Sequence, residues 1–150
     1  MLPRIDYSVV VPVSVELAFR AFSDFDRLLR RGIYEEVSWI EGKPWQVGSR
    51  VRYVVSKPVK ATILAVVTSC DPPRLVALLN HALGVTTDQQ VIFAASPMSG
   101  TRVRMIMDFV GKSPELPDDV IQQAITFYTH DALDTMAALC TQWTAASSSG

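Results

Sequence analysis

Hydrophobic residues recur at three- and four-residue spacing from residue 117 to residue 143. This spacing predicts one long amphipathic helix, because residues three and four apart lie on the same helical face. Such a face needs an apolar surface to cover it, and the only large candidate is a sheet formed by the preceding segments. The residues of the predicted stripe are Val120, Ile121, Ala124, Ile125, Tyr128, Ala132, Met136, Leu139 and Trp143.

A strand and one or two helices are predicted at the start of the chain. Apolar residues occupy every second position of residues 5–11, which indicates a strand. Ser14 is a suitable helix N-cap, and Glu16 places a negative charge in the first turn, where it is favourable. The helical spacing that follows predicts one helix up to Arg31, or two short helices separated near residues 23–24.

Six segments rich in β-branched and aromatic residues follow, with glycine and proline between them. Residues 75–83 are rich in leucine and alanine, which also fits a helix, but the prolines before them and the glycine behind them favour a strand. Consecutive strands with short connections pair antiparallel, since parallel pairing needs crossover segments. The predicted strands are residues 34–40, 50–57, 59–70, 75–83, 85–95 and 101–110. Together with the helices they predict an α+β domain.

Alternation along the strands predicts which face of the sheet meets the long helix. In the last strand, Arg102, Arg104 and Asp108 share the face that points away from it. Thr87 and Gln89 have inward parity, but their position toward a strand end favours contact with solvent. The inward parity of residues 59–70 and 75–83 stays open. The residues predicted to face the helix are Val51, Tyr53, Val55, Val91, Phe93, Ala95, Val103, Met105, Met107 and Phe109. This predicted inner surface is apolar with a few polar points, as in small-molecule pockets.

Charge and cysteine content exclude several classes of function. The formal net charge of −1 provides no electrostatic footprint for nucleic acid. Arg27, Arg30 and Arg31 cluster, but they fit the C-terminal end of a helix, where cations interact favourably with the helix dipole. Cys70 and Cys140 are far apart and lack metal-site spacing, so we expect two buried free thiols.

The length of 150 residues is sufficient for one domain with a hydrophobic core. We assign residues 1–146 to this domain and residues 147–150 to a polar flexible tail. No segment approaches the roughly 18 uninterrupted apolar residues of a membrane span. The start of the chain lacks the charged-then-apolar pattern of an export signal, so we expect a cytoplasmic protein.

Four short stretches form a recognisable set. Residues 9–19 read VVVPVSVELAF, residues 39–49 read WIEGKPWQVGS, residues 71–75 read DPPRL, and residues 100–101 open the last strand with GT. Together they resemble the START-like or Bet v 1-like superfamily, also called SRPBCC or helix-grip proteins, which includes polyketide cyclase/dehydrase-type proteins. One departure is at residues 28–29, where two leucines stand and many relatives have a tryptophan.

The resemblance implies a helix-grip fold. In this fold a curved antiparallel sheet of about seven strands wraps around the long C-terminal helix, and two short helices follow the first strand. A cavity between sheet and helix often takes an apolar or amphipathic small molecule. We therefore expect a hydrophobic small-molecule ligand as the partner, and neither a cofactor nor a metal ion.

The predicted ligand-binding residues combine the inner face of the sheet with the helix stripe. Methionine suits such a site because its side chain is flexible and polarisable, although it also fills cores. The small Ala132 is a position where the helix can leave room. The predicted set is Tyr53, Val55, His81, Gln89, Val91, Phe93, Met105, Met107, Phe109, Ile125, Tyr128, Ala132 and Met136.

Three of these residues are weak candidates for proton transfer. His81 lies in an otherwise apolar segment and titrates near neutrality, but a structural or solvent-facing histidine accounts for it equally well. Tyr53 and Tyr128 could aim hydroxyls at a ligand, or at a backbone carbonyl or the protein surface. His130 and Asp134 are four residues apart and predict a solvated pair on the polar face of the helix. No phosphate loop, nucleotide fingerprint, GxSxG or HExxH motif occurs.

These observations leave three functional alternatives. The first is a carrier or sensor that binds a hydrophobic or amphipathic small molecule between sheet and helix. The second is a cyclase- or hydratase-type enzyme that acts on a polyketide-like substrate in the same cavity. The third is a solid-core protein that works through its surface, for example as a homodimer. Binding is preferred over catalysis, because nothing in the sequence requires two polar residues to meet inside the cavity. Whether the protein is an enzyme stays open.

Overall fold

A computed structural model describes residues 2–24, 33–112 and 116–148, without the side chains of residues 112 and 145–148. The described residues form seven strands and two helices. The strands are β1 (Ile5–Val11), β2 (Tyr34–Glu41), β3 (Arg50–Val55), β4 (Ala61–Asp71), β5 (Leu75–Ala82), β6 (Val85–Ala95) and β7 (Thr101–Lys112), and the helices are α1 (Val15–Ser23) and α2 (Asp118–Ser148).

The strands form one antiparallel sheet in the order β1-β7-β6-β5-β4-β3-β2. Every neighbouring pair except β1 and β7 is also consecutive along the chain, as short antiparallel connections require. This topology confirms the predicted α+β helix-grip architecture. It also confirms that residues 75–83 contribute a strand and not a helix.

The first helix begins where the sequence predicts. The Ser14 hydroxyl accepts a hydrogen bond from the Leu17 backbone N–H at 3.2 Å, and Glu16 lies in the first turn. The helix α1 ends at Ser23. The predictions for residues 25–32, including the second short helix, the arginine cluster and the two leucines, lie outside the described residues.

The strand pairing is irregular at four positions of the sheet. The strand register shifts so that Glu35 and Ile40 in β2, Thr68 in β4 and Val110 in β7 have no residue opposite them. Register shifts of this kind occur at β-bulges and other pairing irregularities, and a β-bulge bends its strand and increases the local twist. Residues of α2 and of the inner face of the sheet line one cavity, so α2 covers this face.

The helix α2 supplies much of the core. Its predicted apolar stripe is buried, except that Val120 and Trp143 are only partly covered. Leu133 and Cys140 are also fully buried, so the covered face is broader than the predicted stripe. Helix α2 continues to Ser148, beyond the predicted end, and among the described residues no helix has the length and apolar character to cross a bilayer.

The outer face of β1 and β7 carries ion pairs. Arg104 pairs with Asp6, and the Arg4 Nε lies 2.7 Å from an Asp108 carboxylate oxygen. These contacts agree with the predicted outward parity of the polar residues in the last strand. Ala95 is a correction, because it is exposed where β6 reaches its turn into β7.

Both cysteines are free, as predicted. Cys140 is buried in α2 as expected, whereas Cys70 in β4 is only half-buried, which corrects the expectation of two buried thiols. Burial raises the pKa of the Cys140 thiol to about 11. A thiol with a raised pKa stays protonated near neutral pH and reacts slowly, which fits a packing role for Cys140.

Gly100 is required by close approach of two chain segments. It has a φ of +79°, and a Cβ there would collide with the backbone carbonyl of Val11. Gly48 is a matched control, because it has a φ of +92° with nothing within 4 Å of an added Cβ.

We expect Gly48→Ala to lower the free energy of unfolding by about 1 kcal/mol through the left-handed backbone alone. Gly100→Ala, which adds a steric clash, should lose about 2 kcal/mol. Urea denaturation checks this, and equal losses would contradict the proposed contact.

Candidate functional site

An internal cavity lies between the inner face of the sheet and the two helices. Its volume is about 40 Å³. That volume accommodates water, since roughly 10–15 Å³ is enough for one molecule. Seven residues of the predicted ligand-binding set line it, namely Tyr53, Gln89, Met105, Met107, Ile125, Tyr128 and Ala132.

Other predicted residues lie beside the cavity and not in its lining. Val55, Val91, Phe93 and Met136 are almost completely buried in the surrounding core. Phe109 is partly buried and packs against that core. Their inward orientation follows from strand and helix periodicity, but periodicity does not distinguish a residue that borders a void from one that packs behind it.

His81 requires a correction, because it is exposed on the outer face of β5. Asn80 and Ala82, its neighbours in the strand, point inward and line the cavity. The Nδ1 atom of His81 lies 3.0 Å from the Thr86 Oγ1 on the next strand. This position removes His81 from any chemistry inside the cavity.

Thr87 and Gln89 also require a correction, because they are buried and not solvated. Strand β6 is an interior strand of the sheet, with β5 on one side and β7 on the other. Ile125 and Thr129 of α2 line the same cavity and cover this part of the sheet. Position toward a strand end therefore does not bring these two residues to the surface.

A chain of buried hydrogen bonds crosses the inner face of the sheet from β3 to β7. The Tyr53 hydroxyl donates to the Asn80 Oδ1 at 3.0 Å, and the Asn80 Nδ2 donates to the Gln89 Oε1 at 2.8 Å. The Gln89 Nε2 then donates to the Met105 Sδ at 3.3 Å. All four residues line the cavity, so they form a polar strip on a largely apolar surface.

Asn80 is the member of this strip that the sequence prediction missed. It is an isolated uncharged polar residue in the apolar run from Leu75 to Ala82. Buried polar side chains are nearly always hydrogen-bonded, so such a residue indicates a partner across the strands. Successive residues of a strand point to opposite faces, so Asn80 points inward where His81 points outward.

Three tyrosines also belong to the lining, namely Tyr34, Tyr53 and Tyr128. The rings of Tyr34 and Tyr53 meet edge to face, with centroids 5.4 Å apart. Burial raises the pKa of Tyr34, Tyr53 and Tyr128. Their hydroxyls therefore stay protonated near neutral pH and act as hydrogen-bonding groups.

Comparison with solved structures identifies the architecture. Zhui aromatase/cyclase from Streptomyces sp. R1128 superposes with a TM-score of 0.80 and 16% identity, over 95% of this chain and 95% of that one. A START superfamily protein from Mycobacterium smegmatis gives 0.74 and 14%, over 93% of this chain and 98% of that one. Ara h 8.0201 gives 0.75 and 15%, over 93% and 98%.

The chain has the START-like, or Bet v 1-like, fold. No protein-family model matches the sequence, and no curated protein matches it. At these low identities the likeness concerns the fold alone. The chemistry of the cavity therefore depends on the residues of this chain that line it.

Helix α1 closes one side of the cavity through Phe22. The Phe22 ring packs against Phe93 and Trp45, with centroids 5.9 Å and 5.8 Å away. The Trp45 indole donates a hydrogen bond to the Ser23 carbonyl at 2.6 Å. The loop between β2 and β3 thus holds the end of α1 against the sheet.

Tyr128 ties α2 to the loop between β3 and β4. Its hydroxyl donates to the Val59 carbonyl at 3.1 Å, while its ring lines the cavity. This contact is the backbone-carbonyl alternative considered for Tyr128 from the sequence. The ring is therefore part of the cavity wall, and the hydroxyl reaches beyond it.

A second polar cluster lies outside the cavity, between β1 and α2. Tyr7 stacks on His130 with ring centroids 3.8 Å apart and donates to Asp134 at 2.6 Å. The sequence predicted that His130 and Asp134 form a solvated pair. In the structure Tyr7 contacts both of these residues. Burial raises the pKa of the neighbouring Asp131, although a hydrogen bond from the Ile33 backbone partly offsets this. Within the described ranges no group of His, Cys, Asp and Glu is placed to hold a metal ion.

Proposed function

We propose that the protein is a carrier or sensor that binds a hydrophobic or amphipathic small molecule between the sheet and α2. The observation that carries this proposal is the polar strip of Tyr53, Asn80, Gln89 and Met105 on the apolar cavity wall. Small-molecule sites combine an apolar lining with a few placed polar groups in this way. A core that serves packing alone would not need these polar groups, because apolar side chains of similar size avoid the cost of desolvating polar groups.

Binding of a ligand requires the cavity to expand. The free volume of about 40 Å³ is well below the roughly 300–1,000 Å³ of ligand pockets. Met105 and Met107 line the cavity, and methionine side chains change rotamer easily and tolerate new neighbours. We therefore expect the ligand to take its space partly from these two side chains.

Catalysis of the cyclase or hydratase type is the second candidate, because an aromatase/cyclase shares this fold. Among the described lining residues, the titratable side chains are Tyr34, Tyr53 and Tyr128. Burial raises the pKa of each. Efficient proton transfer needs a pKa near the working pH, so these residues support binding better than catalysis.

A neutral fluorescent dye tests the proposal. We expect N-phenyl-1-naphthylamine, which emits strongly in apolar surroundings, to bind with saturable fluorescence, and native mass spectrometry to detect the complex. The dye is uncharged, so attraction to charged surface groups does not explain its binding. Absence of saturation together with only the apo mass would refute the binding proposal and favour the solid-core alternative.

A further inference from the structure

The cavity offers no partner for a charged ligand. Among the described residues that line it, none is Lys, Arg, His, Asp or Glu. Burial of an ion without a counter-charge costs far more than burial of a neutral polar group. The part of a ligand that enters this space is therefore uncharged.

The hydrogen-bond chain has a defined polarity, and the thioether of Met105 determines it. A thioether sulfur accepts hydrogen bonds weakly and cannot donate. The part of the Gln89 carboxamide that faces it is therefore the NH2 group. The Gln89 Oε1 then faces Asn80, which must donate to it. The Asn80 Oδ1 is left to accept from the Tyr53 hydroxyl. Each step thus orients the next, and the strip ends on an N–H donor.

That donor has a weak acceptor among the protein atoms of the cavity wall, namely the Met105 sulfur. Sulfur is a weak acceptor compared with a carbonyl or hydroxyl oxygen. Met105 borders the cavity and has a flexible side chain, so a ligand can displace its sulfur from the Gln89 amide. An oxygen at this position would replace a weak hydrogen bond with a stronger one.

We propose that the site selects an uncharged ligand with a hydrogen-bond-accepting oxygen, such as a ketone, which binds the Gln89 Nε2 in place of the Met105 Sδ. This inference rests on the proposed binding function and specifies its ligand class. It disfavours simple hydrocarbons, because they leave the amide with the thioether. It also disfavours carboxylates, because they bring an unpaired charge into the cavity.

Three probes of similar shape test the ligand class. They are 2-acetylnaphthalene, 2-isopropenylnaphthalene, in which a methylene group replaces the ketone oxygen, and the anion 2-naphthoate. We expect the ketone to bind about tenfold more tightly than the alkene, as one added buried hydrogen bond would produce. The anion should bind most weakly near neutral pH. Isothermal titration calorimetry supplies the dissociation constants.

Two variants assign the preference to Gln89, and one serves as control. Gln89→Leu should reduce the ratio of ketone to alkene affinity to about one. Gln90→Leu changes the exposed neighbour on the outer face and should keep the wild-type ratio. Met105→Leu conserves volume and removes the thioether, so the Gln89 amide loses its protein acceptor, and a bound alkene provides no replacement. The ketone preference should therefore rise in Met105→Leu.

The outcomes separate this inference from the binding function. If N-phenyl-1-naphthylamine binds but ketone and alkene bind equally, the ligand class is wrong and the binding function stands. A ketone preference that falls in Met105→Leu, or survives in Gln89→Leu, also overturns the assignment. If neither the dye nor any of the three probes binds, both proposals fail.

Discussion

We expect Ala132→Leu to weaken the binding of N-phenyl-1-naphthylamine by about 10- to 100-fold. Ala132 is buried on the face of α2 that lines the cavity. Three added carbons exceed the free space of about 40 Å³, so the leucine occupies the room that a ligand needs. Overpacking of this kind costs about 1–3 kcal/mol, which a ligand would have to overcome in addition. Fluorescence titration measures the change.

Ala138→Leu is the matched control for Ala132→Leu. Ala138 lies on the same helix but is exposed, so the same substitution adds no atoms to the cavity. Its dye affinity should equal that of the wild type. Equal weakening in the two variants, or full binding in Ala132→Leu, would show that the dye binds elsewhere and would contradict the proposed site.

Asn80→Leu is expected to lower the free energy of unfolding by about 4 kcal/mol. Asn80 is 4% exposed and joins Tyr53 to Gln89 through two buried hydrogen bonds. Leucine has a similar size, so the loss reflects hydrogen bonding more than packing. Each buried group that loses its partner costs roughly 1–3 kcal/mol. Chemical denaturation of the ligand-free protein provides the measurement.

A double-mutant cycle tests whether Asn80 acts through Gln89. In the variant with leucine at both positions, no carboxamide is left buried without its neighbour, so the combined loss should be smaller than the sum of the single losses. Gln90→Leu, on the exposed face, should change stability by less than about 0.5 kcal/mol. Strict additivity, or a loss below about 1 kcal/mol for Asn80→Leu, would argue against a coupled strip.

Local periodicity explains why much of the fold and part of the site could be predicted. Alternation in β3 and β7 identified Tyr53 and Met105 as inward residues, and helical spacing identified Ile125 and Ala132. These patterns depend only on the geometry of one strand or one helix. They fix which side chains point inward without reference to the rest of the chain.

The parity of β5 could not be obtained in the same way. Val76, Ala77 and Leu78 are all buried, so both faces of this strand are apolar and no alternation is visible. Whether Asn80 or His81 points inward is then decided by pairing with β4 and β6. Pairing register is a property of the assembled sheet, which is why the polar strip and the exclusion of His81 emerge only in three dimensions.

The hydrogen bond from Tyr128 to Val59 has a consequence for selectivity by size. Ring and hydroxyl belong to one rigid side chain, so a ligand long enough to move the ring must also disturb the bond to the surface loop. That disturbance costs about 0.5–1.5 kcal/mol, the net contribution of a typical hydrogen bond. The cost applies only to molecules that extend as far as the ring, so this wall favours compact ligands independently of their polar groups.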